Sequence, residues 1–152
     1  MDKKRKGCIE VSKLNSNILA LGRSVTQFRS ERMAVYGLKS CHISYLLNIC
    51  ANPGISQDKL AQFIFFNKSN VARQAAVLEE QGYITRQPSP TDKRVMELYP
   101  TQKALDLLPD IRQIMQEWDE LLTGDLTPEE IETVNRVLDK MREKAGAWMN
   151  EH

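Results

Sequence analysis

Apolar residues recur along much of this chain at intervals of three and four, which is the spacing of a helix that packs along one face. Three segments keep this spacing over several turns, and each predicts a long helix: Ile9 to Tyr36, a segment that begins at Thr101, and a segment that begins at Thr127. Their apolar positions are Leu14, Ile18, Leu21, Val25 and Phe28; Leu108, Ile111, Met115, Trp118 and Leu122; and Ile131, Val134, Leu138, Met141, Ala145 and Trp148. Narrow apolar seams of this kind indicate helices that lie against other helices.

Shorter helices are predicted between the first two long ones. Gly37 ends the first helix, and a second helix runs from Ser40 to about Ala51. Its predicted buried residues are Ile43, Leu46, Leu47 and Cys50. After a turn at 52–54, Ser56 is the predicted N-cap of a third helix that extends to about Ile64. Asn67 is the predicted N-cap of a fourth helix, and Gly82 supplies its left-handed stop.

A β-hairpin is predicted after the fourth helix. Ile84 to Gln87 forms one strand, Pro88 to Lys93 the tip, and Arg94 to Tyr99 the returning strand, with Ile55 as a third, very short strand. This order, with two helices joined by a tight connection and followed by a hairpin, is that of a winged helix-turn-helix. The connection here lacks the glycine that is frequent at that place. The helix that begins at Thr101 is predicted to be capped by Thr101 and kinked at Pro109. The last helix is predicted to begin with a capping box formed by Thr127 and Glu130, with Pro128 at its first position.

The fourth helix has two different faces. Val71, Ala75 and Leu78 form an apolar stripe, and polar residues occupy the opposite side of the first turns. These outward residues are Lys68, Ser69, Asn70, Arg73 and Gln74. Such side chains can bind phosphate oxygens or the major-groove edges of guanine and adenine, which is typical of a recognition helix. A polar helix face that is merely solvated is the alternative interpretation.

Composition and charge narrow the class of protein. No apolar run approaches the roughly 20 residues that span a bilayer, and the N-terminal residues do not resemble a signal peptide, so we expect a cytoplasmic protein without a membrane partner. Cys8, Cys41 and Cys50 form no CxxC pair and are expected to be reduced thiols. Residues 1–100 carry a net charge of +7 and residues 101–152 a net charge of −6. This asymmetry fits a protein with one side facing a polyanion, although an acidic C-terminal helix alone would also produce it.

Catalytic and metal-binding patterns are missing from the sequence. His42 and His152 are the only histidines, and no Gly-rich phosphate loop or Cys/His ligand spacing is found, so we expect neither an enzyme nor a cofactor.

The predicted fold is mainly α with a small β-hairpin, in three parts: an N-terminal helix (1–37), a winged helix-turn-helix domain (38–100) and C-terminal helices (101–152). Because a small winged domain cannot bury three seams, both chain ends are predicted to form a helical dimerisation layer. An intramolecular bundle is the alternative.

The chain resembles the MarR/SlyA family of bacterial transcription regulators over nearly its whole length. The residues that carry the resemblance are Leu60-Ala61, Asn67 to Arg73, Leu78 to Ile84, and Asp92-Lys93-Arg94 in the hairpin. The resemblance implies that Arg94 enters the minor groove or grips the backbone, while Asp92 shapes the tip and orients an arginine. This chain has Asn67, Asn70 and Ala72 where the family more often has other residues, so no base preference can be carried over.

The resulting functional prediction is a homodimer that binds an inverted-repeat site in duplex DNA. Lys68, Arg86 and Lys93 are predicted to hold phosphate, and Asn70 and Arg73 to read base edges. The resemblance further implies a repressor relieved by a small, anionic aromatic effector, and His42 is a candidate to line the effector pocket. Two alternatives remain open: a redox-responsive regulator that uses a cysteine, and a winged-helix module that binds protein instead of DNA.

Overall fold

Helices dominate the structure, a computed structural model that describes the backbone of residues 3–151 and the side chains of residues 13–149. The elements are α1 (Lys3–Met33), a 3-10 turn (Ala34–Tyr36), α2 (Ser40–Ala51), β1 (Ile55–Ser56), α3 (Gln57–Ile64), α4 (Lys68–Glu80), β2 (Ile84–Pro88), β3 (Met96–Pro100), α5 (Gln102–Thr123) and α6 (Pro128–Glu151). The chain divides into two compact units, one ending at Cys41 and one beginning at His42. The C-terminal helices therefore belong to the same compact unit as the predicted winged domain.

The first unit consists mainly of α1, a helix of 31 residues. Gly37 adopts a φ of 68°, which only glycine reaches without strain, and its N–H donates to the carbonyl of Ala34 at 3.0 Å. This confirms the predicted stop. The α1 seam residues Leu14, Ile18 and Leu21 are each more than 40% exposed. The side chain of Cys8 lies outside the described residues.

In the second unit, a three-stranded antiparallel sheet with the order β1-β3-β2 packs beside α3 and α4. Ile55 lies opposite Leu98, which confirms the third short strand. The returning strand begins at Met96, two residues later than predicted, because the N–H of Val95 bonds to the carbonyl of Asp92 and closes a turn. The fully buried apolar side chains of this unit are Ile43, Tyr45, Leu46, Ile49, Leu60, Val71, Ala75, Leu78, Ile84, Leu98, Ala104 and Ile111. This core fixes the orientation of α4, and the predicted fold class is confirmed.

The buried faces of α2 and α5 differ from those predicted. In α2, Leu47 and Cys50 are only half-buried, and the buried residues are His42, Ile43, Tyr45, Leu46 and Ile49. In α5, the buried residues are Ala104, Leu107, Ile111, Ile114 and Trp118, whereas Leu122 is 42% exposed. Both helices are apolar over more than one stripe, so periodicity cannot identify the side that neighbouring elements cover.

The first turns of the two C-terminal helices are capped in different ways. Thr101 occupies the N-cap position of α5, as predicted, but makes no side-chain capping bond, and α5 continues through Pro109. The capping box of α6 is confirmed in full. The hydroxyl of Thr127 accepts from the N–H of Glu130 at 3.2 Å, and the Glu130 carboxylate accepts from the N–H of Thr127 at 2.8 Å.

The predicted apolar seam of α6 is largely uncovered. Val134, Leu138 and Trp148 are 46%, 48% and 62% exposed. Near the C-terminal end of the helix, Gly146 is buried against the ring of Phe65, where an added Cβ would lie 2.6 Å from Cε1. No helix within residues 3–151 has the length and apolar character that a membrane span requires.

Candidate nucleic-acid interface

The connection between α3 and α4 is closed by a phenylalanine in the left-handed conformation. Phe65 has a φ of 56°, the one positive φ among the described residues other than glycine. The N–H of Phe66 bonds to the carbonyl of Ala61 at 3.1 Å, so the turn is tight despite the missing glycine. A non-glycine residue in this conformation costs of the order of 1–3 kcal/mol. The Phe65 ring lies beside Gly146 of α6.

The first turn of α4 is organised by its cap. The side chain of Asn67 accepts from the N–H of Asn70 at 2.7 Å, which confirms the predicted N-cap. Asn70 in turn accepts from the Arg73 guanidinium at 3.0 Å. The two side chains predicted to read base edges are therefore coupled to one another, and Asn70 directs the Arg73 group along the outer face of the helix.

The outer face of α4 carries exposed polar and cationic side chains. Lys68, Ser69 and Arg73 are exposed. Lys68 pairs with Asp58 of α3 at 2.9 Å, with both side chains at least 60% exposed. Exposed pairs of this kind contribute roughly 0–1 kcal/mol, so a phosphate can displace Asp58 at little cost. Asp58 could not be identified as a partner of Lys68 from the sequence alone, because it lies ten residues away on another helix.

Gln74 was predicted to point outward with these residues, but its side chain turns inward. It is half-buried, and its Oε1 lies 3.0 Å from Nε2 of His42. His42 is fully buried and meets the Tyr45 ring edge to face, with centroids 6.3 Å apart. Gln74 and His42, predicted as a DNA contact and an effector contact, join α4 to α2 in the structure.

The hairpin tip presents an arginine held by a neighbouring carboxylate. Nε and Nη2 of Arg94 donate to the two carboxylate oxygens of Asp92 at 3.1 and 3.2 Å, and the Arg94 N–H also donates to Asp92. These bonds hold the pKa of Asp92 below its ordinary value. The Arg94 side chain is 90% exposed, and Lys93 beside it is also exposed. The tip therefore offers two cations, one of them in a preset orientation.

Arg86 was predicted to hold phosphate, but in the structure it binds Glu79. Its guanidinium donates to a Glu79 carboxylate oxygen at 2.8 Å, and its backbone N–H donates to the other oxygen at 3.0 Å. The Arg86 side chain is 26% exposed. The pair ties the last turns of α4 to β2, which is a structural role that only the three-dimensional arrangement reveals.

Replacing Glu79 with glutamine is expected to destabilise the fold at neutral pH and to have less effect in acid. The hydrogen bond from Arg86 lowers the pKa of Glu79 in the folded protein. The pair therefore stabilises the fold above the ordinary glutamate pKa, and this contribution is lost as the pH falls through the lowered value. Because 37% of the Glu79 side chain is exposed, the loss should be at most about 1 kcal/mol.

Urea unfolding of wild type and Glu79→Gln at about pH 7 and about pH 3.5 measures this difference. Glu80→Gln is the matched control, since Glu80 is exposed on the same turn of α4. An equal difference at both pH values would contradict a role for the charged pair.

The fold and this surface together define a winged helix-turn-helix protein: α4 carries a polar outer face, and the hairpin forms a cationic wing. Comparison with known proteins supports this class of protein. Residues 36–95 match the model of the MarR family. An uncharacterized HTH-type transcriptional regulator of Bacillus subtilis, YybA, is 36% identical over 98 residues, which are 64% of this chain and 65% of that protein, just under two thirds of its length.

Solved structures extend the match beyond the winged domain. The transcriptional regulator SlyA has a TM-score of 0.86 at 27% identity, over 90% of this chain and 96% of that one. A mutant MarR from E. coli, complexed with operator DNA, has a TM-score of 0.78 at 21% identity, over 87% and 95% of the two chains. At 21% identity, the similarity to the MarR mutant is one of fold alone. Residues 36–95 of this chain therefore match a MarR-family domain, and the chain as a whole is similar in fold to the regulator SlyA.

Proposed function

We propose that the protein is a homodimeric, sequence-specific DNA-binding regulator that represses transcription until a small effector releases it. The observation that carries the proposal is the exposed Arg94 at the wing tip, held by both oxygens of Asp92 on a domain whose α4 helix presents Lys68, Ser69 and Arg73. Oriented guanidinium groups suit the minor groove or the phosphate backbone, and a polar helix face suits the major groove. A MarR mutant of the same fold has been solved with operator DNA.

The polar residues of α4 and of the wing tip have different proposed roles. Lys68 and Lys93 neutralise phosphates, Arg94 enters the minor groove or grips the backbone, and Arg73 reads a base edge with Asn70 holding its orientation. Ser69 contributes a hydroxyl contact at the same helix start. Arg86 and Gln74, also predicted as DNA contacts, bind Glu79 and His42 within the chain.

Homodimer formation is supported by the apolar seams left uncovered on one chain. Leu14 and Ile18 of α1, and Val134 and Leu138 of α6, are all more than 40% exposed. A second copy of the chain would bury such seams in a helical layer and place two α4 helices on successive major grooves about 34–36 Å apart. An inverted-repeat DNA site follows from the two-fold symmetry of that arrangement.

The proposed effector site includes His42. The proposed ligand is a small, anionic aromatic compound. The proposed location of the protein is the cytoplasm. His42 is fully buried and bonded to Gln74, so a ligand that uses its imidazole must first break that contact. Any such ligand would therefore act directly on the attachment of α4.

Regulation through a cysteine thiol is the alternative to regulation by an effector. Burial raises the pKa of the Cys50 thiol, which keeps it protonated and slow to oxidise at neutral pH. The side chain of Cys8 lies outside the described residues. The Cys50 thiol therefore does not favour a redox-responsive regulator.

Salt dependence tests the proposal. The affinity for duplex DNA should fall steeply as salt rises, because each phosphate that the protein neutralises releases bound counterions. With several phosphate contacts, the loss should reach roughly a thousandfold or more between 50 and 200 mM salt. A protein that binds no duplex at low ionic strength would be a winged-helix module for another partner, and the proposal would fail. Selection of bound duplexes from a random library then supplies the site for the experiments below.

A further inference from the structure

The first turn of α5 is attached to the end of the recognition helix α4. The hydroxyl of Thr101 donates to the carbonyl of Gly82 at 2.7 Å and lies 3.0 Å from the carbonyl of Tyr83. The N–H of Thr101 also donates to the carbonyl of Tyr83, at 3.0 Å. These bonds explain why Thr101 does not cap its own helix, since its hydroxyl is used across the domain.

Lys103 makes a second attachment at the same place. Its ammonium group donates to the carbonyl of Gln81 at 2.8 Å and lies 4.3 Å from the centre of the Tyr83 ring. A positive charge at this carbonyl complements the negative end of the α4 dipole, and contact with the ring adds a cation–π interaction. We call these contacts of Thr101 and Lys103 with residues 81–83 the α4–α5 joint.

The segment that receives these bonds is itself rigid. Gly82 has a φ of 78°, its N–H donates to the carbonyl of Glu79, and the N–H of Tyr83 donates to the carbonyl of Leu78. This is a Schellman motif, in which two late carbonyls of a helix are satisfied by the chain that follows it. The carbonyls of Gln81, Gly82 and Tyr83 then accept from α5. A rotation of α4 relative to α5 would break several of these bonds together.

We propose that Thr101 and Lys103 are positioning residues that set the distance between the two recognition helices of the dimer. The inference rests on the proposed homodimer, in which the C-terminal helices of each chain form part of the dimer layer. Because α5 connects that layer to α4 through the joint, the joint, together with the core that packs against α4, sets where α4 lies relative to the two-fold axis. The DNA consequence is a preference for one spacing between half-sites, since half-site spacing follows from the geometry of the dimer.

The test uses duplexes that carry two selected half-sites with spacers changed one base pair at a time, together with a duplex that carries a single half-site. Wild type should show a sharp optimum. The double variant Thr101→Val with Lys103→Met should keep its affinity for the single half-site within about twofold, while its preference for the best spacer over its neighbours falls roughly tenfold toward uniform binding.

Two further variants make the result specific to the joint. Gln102→Ala changes an exposed residue of the same turn whose bond is to Asp106 within α5, and it should leave the spacer profile unchanged. The single variant Lys103→Arg keeps a cation at the Gln81 carbonyl and beside the Tyr83 ring, and it should retain the wild-type profile. Lys103→Met alone, at an exposed position, provides a variant expected to remain folded.

The outcomes separate this inference from the proposed function. A spacer profile of the double variant identical to that of wild type, with a clear wild-type optimum, overturns the role of the joint and leaves the regulator intact. Equal losses on the single half-site and on every spacer also overturn it, because they show general damage to α4. Wild-type protein that prefers no spacing overturns the inference together with the homodimer on which it rests.

Discussion

Replacing Arg73 with alanine is expected to lower affinity for the selected DNA site by roughly 5- to 150-fold, which corresponds to about 1–3 kcal/mol for a good base contact. Affinity for random duplex should change much less. The Arg73 side chain is exposed on the outer face of α4, and the Asn70 carboxamide accepts from it at 3.0 Å, so its donors are held in a limited set of directions. Fluorescence anisotropy with both duplexes at one fixed salt concentration measures the two losses.

Arg136→Ala is the control for loss of a positive charge. Arg136 is exposed on α6, on the side away from the seam formed by Ile131, Val134 and Leu138. It should leave the ratio of selected to random affinity at the wild-type value. Equal losses on both duplexes for Arg73→Ala would show that Arg73 only neutralises phosphate and reads no base.

Replacing Leu138 with aspartate is expected to convert the dimer into monomer at micromolar concentration and to reduce DNA affinity by more than about tenfold. Leu138 is 48% exposed on one chain and lies in the middle of the α6 seam. In the proposed dimer it is buried, and an unpaired carboxylate at such a position costs several kcal/mol. Sedimentation measures the mass, and circular dichroism establishes that the helices remain.

Thr133→Asp adds the same charge to α6 and should remain dimeric, because Thr133 is exposed and is not one of the seam residues. A Leu138→Asp protein with the mass and DNA affinity of wild type would exclude this face of α6 as the interface. In that case the exposed seam of α1 would be the next surface to alter.

Local signals explain why the borders of most elements were predictable. The capping box at Thr127, the N-cap at Asn67 and the glycine stops at Gly37 and Gly82 all act within a few residues of themselves. Such signals depend on bonds between neighbours in the chain, so they survive in any tertiary arrangement. Phe65 is the exception, because nothing local predicts that a phenylalanine adopts a left-handed conformation.

Which of the predicted DNA contacts are exposed on the surface was predictable only in part. The side chains that remain exposed, at Lys68, Ser69, Arg73 and the wing tip, were all identified from the sequence. Gln74 and Arg86 were assigned to DNA, but His42 and Glu79 bind them in the structure. Since His42 lies 32 residues from Gln74, its position beside α4 depends on how α2 packs.

The sequence by itself determined the elements, their order and the kind of surface that α4 and the wing present, because periodicity, caps and turn residues act over short distances. Tertiary structure decided which face of α2 and α5 is buried, which polar side chains are used inside the protein, and that α5 begins by binding the end of α4. These outcomes depend on contacts between residues far apart in the chain, and several pairings of similar residues are compatible with the same local pattern.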